Sequence, residues 1–444
     1  MKRLSFLLAW LAVLPVWAEP QPISYGEAIH LGLERNLSLQ NAALEVPAAQ
    51  ARLDQAFAAR NPNLNVNSTY LRQADSLVRA QLPGTTQLLN ANGANISSAQ
   101  LSTRGTEQML NRLALVVPVY TGGRLEAAIH ERQSLLEAEN YSLQRSRQLT
   151  ALNIKSNYLQ ALLARENLEV SEFNLREAER NQQLTTSRKK AGVGTKFDTM
   201  QAQVAVANGQ ATLARTQVDW QRRQAELAAT LNLPLGTNFD LHESLTAPQP
   251  NLEPLASTDL EVLTQTALSQ RPELEQLRAR LAANNQARIG ASSSLLPQIN
   301  LSLNYDVLGN PQALQGGWSL LATLSFPLWD GGVSEARQQE FTVREDQLKV
   351  QEKETVQRIA LEVREAYLSL QEADQRLIAA RASVDAATEA VRVGRMRYDV
   401  GAATSLEIIT AQANLSDAQY LTAASRYGQM QARASLNAAL GSAP

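Results

Sequence analysis

Apolar residues recur along this chain at two spacings, and the succession of spacings occurs twice. Leu64, Val66 and Tyr70 alternate with Asn63, Asn65, Asn67 and Thr69, and Ile299, Leu301, Leu303, Tyr305 and Val307 alternate with Gln298, Asn300, Ser302, Asn304 and Asp306. Period two with one apolar face predicts strands. Their partners run from Leu113 to Val117 and from Trp318 to Phe326, giving strands at about 62–72, 110–119, 297–307 and 317–328. The connections are polar and glycine-rich, a long one from Leu82 to Gly105 and a short one from Gly309 to Gly317. Steps of three and four take over in Leu125–Lys190 and Val333–Asp399, as in Ile359, Val363, Ala366, Leu370 and Ala373. These stretches hold no proline and almost no glycine, and at ~1.5 Å per residue they predict helices of roughly 100 Å. Helices of that length must pack lengthwise on similar ones. Two shorter helices precede each strand pair, Tyr25–Asn36 with Leu39–Ala59, and Leu260–Gln270 with Pro272–Ser293. Pro272 stands at a first-turn position, where its missing N–H is not needed.

Each long helix stops at a glycine, Gly192 or Gly401, and a return helix begins just beyond. The return opens Thr195-Lys196-Phe197-Asp198 in one half and Thr404-Ser405-Leu406-Glu407 in the other. A threonine followed three residues on by an acid is the pattern of a capping box. Other landmarks recur in the same order. Pro118-Val119-Tyr120-Thr121-Gly122-Gly123 answers Pro327-Leu328-Trp329-Asp330-Gly331-Gly332, and Leu231-Asn232 answers Leu436-Asn437. The offset is 235 residues at Pro62/Pro297 and 209 at Gly122/Gly331, so the first half carries 26 extra residues between them. Long matching units mean an architecture built by repetition. The expected division is a leader at 1–18, a first repeat at 19–237 with its helical hairpin at 122–235, a proline-rich linker or equatorial segment at 238–257, and a second repeat at 258–444 with its hairpin at 331–440.

Composition narrows the possibilities. Met1-Lys2-Arg3, the apolar run Leu4–Val16 and Trp17-Ala18 read as a secretory signal peptide cleaved after Ala18. The run is too short to span a bilayer, which takes about 20 apolar residues. The chain has no cysteine, which excludes a disulfide framework, a thiolate metal site, a cysteine nucleophile and an N-terminal lipidated cysteine. Basic and acidic residues nearly balance, 41 against 43, with no basic patch of the kind nucleic acid demands. His30, His130 and His242 are scattered without metal-ligand spacing. Gly192-Val193-Gly194-Thr195-Lys196 follows no strand and has the wrong order for a phosphate loop. No catalytic pair, metal or cofactor is expected.

Strands of about ten residues suit a tilted bilayer crossing. Four strands cannot close a barrel, and an open edge is not tolerated in lipid. Either the strands form a soluble sheet or several chains pool them. The order helix–helix–strand–strand–long helix–return helix, twice over, is carried by Leu295-Leu296-Pro297-Gln298-Ile299, Pro327 through Gly332, and Arg397-Tyr398…Gly401…Thr404-Ser405…Glu407…Ala411-Gln412. With these landmarks the chain resembles the TolC family of outer-membrane efflux channels over essentially its whole mature length. The resemblance implies a mainly α fold with a membrane β-barrel. The protomer would be internally duplicated, with four β-strands and long α-helical hairpins. A homotrimer would form a twelve-stranded β-barrel in outer-membrane lipid and a twelve-helix periplasmic α-barrel. The ending Gly441-Ser442-Ala443-Pro444 has no terminal aromatic, which fits a chain end in the periplasm. The resemblance further implies a passive exit duct served by a periplasmic adaptor (membrane fusion) protein and an inner-membrane pump. A proton-driven pump would give small-molecule, multidrug efflux, the commoner role, and an ATP-driven one type I protein secretion. A periplasmic coiled-coil structural protein without a pore is the competing reading from another class.

Family members meet their adaptor at the hairpin tips, which here singles out Gly192, Val193, Thr195, Gly401, Thr404 and Ser405; these residues would cap helices in any case. Family members are also closed at the periplasmic tip, often by rings of acids, since three-fold symmetry turns one inward acid into three. Asp385 and Glu389 share a helical face before Gly401 and are the candidates. The family's acids stand nearer the glycine, where this chain has Arg392. Arg392 can instead pair with Glu389, leaving a solvated face.

Overall fold

The computed structural model describes residues 21–72, 107–241, 259–310 and 313–442. The expected leader at 1–18, the loop from Leu82 to Gly105 and residues 242–257 of the linker lie outside the described residues. Contacts divide the chain into two compact units.

The first unit comprises residues up to Leu44, Tyr141–Glu275 and Lys353 onward. It holds α1 (Tyr25–Arg35), the start of α2 (Leu37–Ala58), most of α3 (Arg124–Lys190), α4 (Lys196–Thr230), α5 (Leu260–Gln270), the start of α6 (Pro272–Ser292), most of α7 (Val333–Asp399) and α8 (Ser405–Ala439). The two repeats match closely: α3 and α7 each have 67 residues, α4 and α8 each 35, α1 and α5 each 11. Since α4 ends at Thr230 and α8 at Ala439, Leu231 corresponds to Leu440. The sequence match of Leu231-Asn232 with Leu436-Asn437 is therefore one helical turn out of register. The next residues, Asn232 (φ 53°) and Gly441 (φ 81°), both take the left-handed conformation that ends a helix. Around them Leu233 N donates to Ala228 O at 2.8 Å and Ser442 N to Asn437 O at 3.1 Å. Asn is one of the few residues with a side chain that tolerates this backbone.

The periodic apolar residues form a seam. Ile359, Val363, Ala366, Leu370, Ala373, Leu377 and Ala380 are all buried, and Val391 and Tyr398 continue the same line. Steps of four and three make a seven-residue repeat, which winds neighbouring helices into a left-handed supercoil. One position in each repeat is alanine, which lets helix backbones approach closely. In the first repeat Ile154 and Tyr158 fill the core with Leu227, Leu231 and Ala28. Tyr158 packs edge-on against Tyr25, ring centroids 5.6 Å apart, and donates its hydroxyl to Ile23 O at 3.1 Å. Ile23 ends β1 (Gln21–Ile23), which pairs in parallel with β4 (Phe239–Leu241). The segment expected to be a linker thus begins as a strand, because Phe239 and Leu241 are buried in this core.

In both repeats the break between the two short helices is tied to the end of the return helix. Asn36 Nδ2 donates to Thr230 O at 3.0 Å, and Arg271 Nε to Ala439 O at 2.7 Å. Arg271 is only 2% exposed and also pairs with Glu273 and Glu362; Glu273 in turn pairs with Arg145 at 2.9 Å.

The second unit comprises Glu45–Asn140 and Gln276–Glu352. Its centre is an antiparallel sheet in the order β2 (Asn63–Arg72), β3 (Glu107–Tyr120), β5 (Gln298–Asn310) and β6 (Ala313–Ser325). The β3–β5 ladder joins the two repeats, pairing Leu113 with Tyr305 and Leu115 with Leu303. Of the stretch Gly309–Gly317, expected to be a loop, the described residues 309–310 and 313–317 are strand. Gly316 and Gly317 sit inside β6, and a Cβ at Gly316 would meet the Tyr305 hydroxyl at 2.6 Å and the edge of its ring at 3.2 Å, so the tyrosine fills the place of the missing side chain. β6 stops at Ser325, two residues before Pro327, which has no N–H for a ladder. Successive left-handed glycines, Gly122 and Gly123 (φ 65° and 84°) and Gly331 and Gly332 (φ 72° and 84°), turn each sheet strand into a long helix. Asp330 then caps α7, accepting from Gly332 N at 3.1 Å and Ser334 N at 2.8 Å.

Candidate channel wall and hairpin tips

The sheet is inside out relative to a soluble one. Its apolar face carries Leu64, Val66 and Tyr70 of β2, Leu113 of β3, Leu303 and Tyr305 of β5, and Trp318, Leu320 and Leu324 of β6, all exposed, with Val66 at 74% and Trp318 at 75%. The opposite face carries Asn63, Asn65 and Asn67, Arg112 and Ala114, Ser302, Asn304 and Asp306, and Ser319 and Thr323. On β3 and β5 this polar face is the sheltered one; Ala114 is 7% exposed. A water-soluble protein would bury the opposite set. Exposed aromatics mark both ends of the apolar face, Tyr70, Tyr305 and Trp318 at one and Tyr120, Phe326 and Trp329 at the other. Eight residues separate Trp318 from Phe326, about 26 Å at ~3.3 Å per residue. That is close to the ~25 Å apolar band between the aromatic girdles of outer-membrane barrels. No helix among the described residues is long and apolar enough to cross a membrane.

In the first unit the tip residues behave as helix ends. Gly192 (φ 80°) and Gly401 (φ 77°) take the left-handed backbone, with Val193 N donating to Arg188 O at 3.0 Å and Ala402 N to Arg397 O at 2.7 Å. Thr195 with Asp198 and Thr404 with Glu407 form complete capping boxes. Val193 is 68% exposed, and Gly192, Thr195, Gly401 and Thr404 are exposed as well. Ser405 is the exception at 1% exposed. It opens α8 with its side chain covered in the single chain, while its neighbour Leu406 is exposed. Sequence reasoning also passed over an exposed apolar rim, Phe197, Val400 and Leu406 beside Val193. Its signal was large apolar residues in the turn after a glycine stop, where solvent usually prevails.

Of the gate candidates, Glu389 and Arg392 are paired with each other in the single chain. Arg392 holds Glu389 in a two-pronged ion pair, Nε to Oε2 at 2.7 Å and Nη2 to Oε1 at 2.5 Å. The hydrogen bonds from Arg392 keep the Glu389 carboxyl below its ordinary range. Asp385 is exposed one turn earlier. The stronger arrangement was not legible in sequence. Glu177 of α3 is largely buried and binds Arg395 of α7 together with Arg180, the latter at 2.6 Å. Nearer the tips, Arg188 lies 4.4 Å from the centre of the Tyr398 ring and donates to Tyr398 O at 3.1 Å. Burial pushes the Tyr398 hydroxyl up from its ordinary value. Asn174 Nδ2 adds a bond to Ser416 Oγ at 2.6 Å. The two hairpins are thus fastened to each other by side chains near their tips. Among the described residues no cluster of His, Cys, Asp or Glu could hold a metal ion.

The family described as outer membrane efflux protein matches residues 28–233 and 263–442. The chain is 25% identical over 426 residues to the pyoverdine export outer membrane protein OpmQ of Pseudomonas putida, covering 94% of this chain and 85% of that one. It is 24% identical to the outer membrane protein OprJ of Pseudomonas aeruginosa, over 86% of this chain and 77% of that one. Among solved structures, the CmeC outer membrane channel of Campylobacter jejuni superposes with a TM-score of 0.77 at 15% identity, over 99% of this chain and 94% of that one.

Proposed function

This chain belongs to the outer membrane efflux protein family, and from that premise we propose that three copies pool their strands into one barrel and work as the exit duct for small molecules delivered through a periplasmic adaptor and an inner-membrane pump. The chain is an outer-membrane efflux channel with a large periplasmic portion. The observation that carries the assembly is the inside-out sheet whose two edges, β2 and β6, have no partner strand among the described residues. Four strands leave those edges unsatisfied in lipid. Three chains supply twelve strands and close the ring, with the amide-rich face inward. Small molecules are the favoured cargo because relatives are named for exporting pyoverdine, antibiotics and toluene.

We assign adaptor contact to the exposed tip residues Gly192, Val193, Thr195, Gly401 and Thr404 and to the apolar rim around them. A photo-reactive residue at Val193 should capture a periplasmic adaptor in intact cells, identified by mass spectrometry. Capture of none, with the protein folded in the outer membrane, would sink the tip assignment.

A further inference from the structure

The sheltered face of the sheet carries a single pair of charges among its described strand residues. In register across the four strands stand Asn67, Arg112, Asp306 and Gly317. Arg112 grips Asp306 with two parallel bonds, Nε to Oδ1 at 2.6 Å and Nη2 to Oδ2 at 3.2 Å. Both side chains are about one-fifth exposed in the single chain, 18% and 20%. The levels on either side hold amides, hydroxyls and aliphatic groups: Thr69, Leu110, Leu308 and Gln315 on one side, Asn65, Ala114, Asn304 and Ser319 on the other. Nothing from β6 covers the pair, because Gly317 has no side chain and open space around it.

We propose that Arg112 and Asp306 set the charge preference of the outer-membrane pore by neutralising each other on its wall. The proposal rests on the three-chain barrel of the preceding section. Three pairs at one level then present dipoles and no net charge, in a wall whose other described strand residues are uncharged. Such a wall passes neutral and zwitterionic polar molecules without attracting either small ion. Removing one partner leaves three like charges facing each other across the lumen. At 0.1 M salt the Debye length is about 10 Å, so they act on any ion passing between them.

The test is the reversal potential of purified channels in planar bilayers under a potassium chloride gradient. Arg112→Gln should raise the potassium-to-chloride permeability ratio by roughly threefold or more, and Asp306→Asn should lower it by a similar factor, as rings of one charge do in other pores. Both shifts should shrink in 1 M salt. The exchange R112D/D306R, which keeps a pair and guards against misfolding of the single variants, should return the wild-type ratio. Conducting trimers whose ratio is unmoved by either single change, or moved the same way by both, would overturn the role of the pair alone. Wild-type protein that forms no conducting trimer would overturn the barrel and this proposal together.

Discussion

Arg271→Ala is expected to destabilise the protein by about 3 kcal/mol, the scale for removing one partner of a buried ion pair. Arg271 is the most buried charge in its network and touches three different elements: Ala439 O at the end of α8, Glu362 on α7 and Glu273 at the start of α6. Without it the Ala439 carbonyl loses its donor, and Glu273 and Glu362 face each other with less compensation. Arg145 and Arg358 still attend these acids, at 2.9 Å and 3.8 Å, which keeps the cost near the lower end of the range. Arg271→Lys should recover only part of the loss, since an ammonium cannot reproduce the planar fork. Thermal unfolding followed by far-ultraviolet circular dichroism in detergent reads the effect. An alanine variant that melts with the wild type would mean that the network contributes nothing at the break between α5 and α6.

Glu177→Gln is expected to loosen the hairpins and raise the leak through the channel. The carboxylate is 9% exposed and holds the half-exposed Arg395 across from α3 to α7, so its loss leaves that arginine without its charged partner. A hydrogen bond to a charged group contributes about 1.5–3 kcal/mol. If that energy favours the closed tip, the open population rises roughly tenfold or more, since ~1.4 kcal/mol is a factor of ten. Single-channel recordings would show more frequent or larger openings, and cells would admit bulky antibiotics that the wild type excludes. Asp385→Asn in the same recordings tests the remaining gate candidate through a drop in cation preference. Unchanged conductance and unchanged antibiotic exclusion in Glu177→Gln would show that the fastening between α3 and α7 has no part in closure.

Much of the fold could be read directly because spacing encodes burial. The steps of three and four from Ile359 to Ala373 became the buried seam of α7, and the alternation from Ile299 to Val307 became β5, since each periodicity states which side chains share a face. Gly192 and Gly401 gave the tips because the left-handed stop leaves a chemical mark. Other features left no such mark. Gly316 and Gly317 look like a loop until Tyr305, on the neighbouring strand, is seen to cover Gly316. Leu231-Asn232 was matched to Leu436-Asn437 because the same dipeptide falls one turn before the true counterpart, Leu440-Gly441. Ser405 sits at an exposed turn in sequence, yet the orientation of α8 buries it. Glu177 and Arg395 are 218 residues apart, and only packing brings them together.

The most direct test of the three-chain barrel uses the absence of cysteine from the chain. Cysteines would be placed in pairs along the two open edges, one at Asn65 or Asn67 on β2 and one at Ser319 or Thr323 on β6, then oxidised in isolated outer membranes. These edges lie at opposite ends of the sheet within one chain, so a disulfide between them must join neighbours. At one or more registers the expected product is a covalent trimer, with the dimer as its intermediate. Monomers at every register, from protein embedded in the membrane, would contradict closure by three chains.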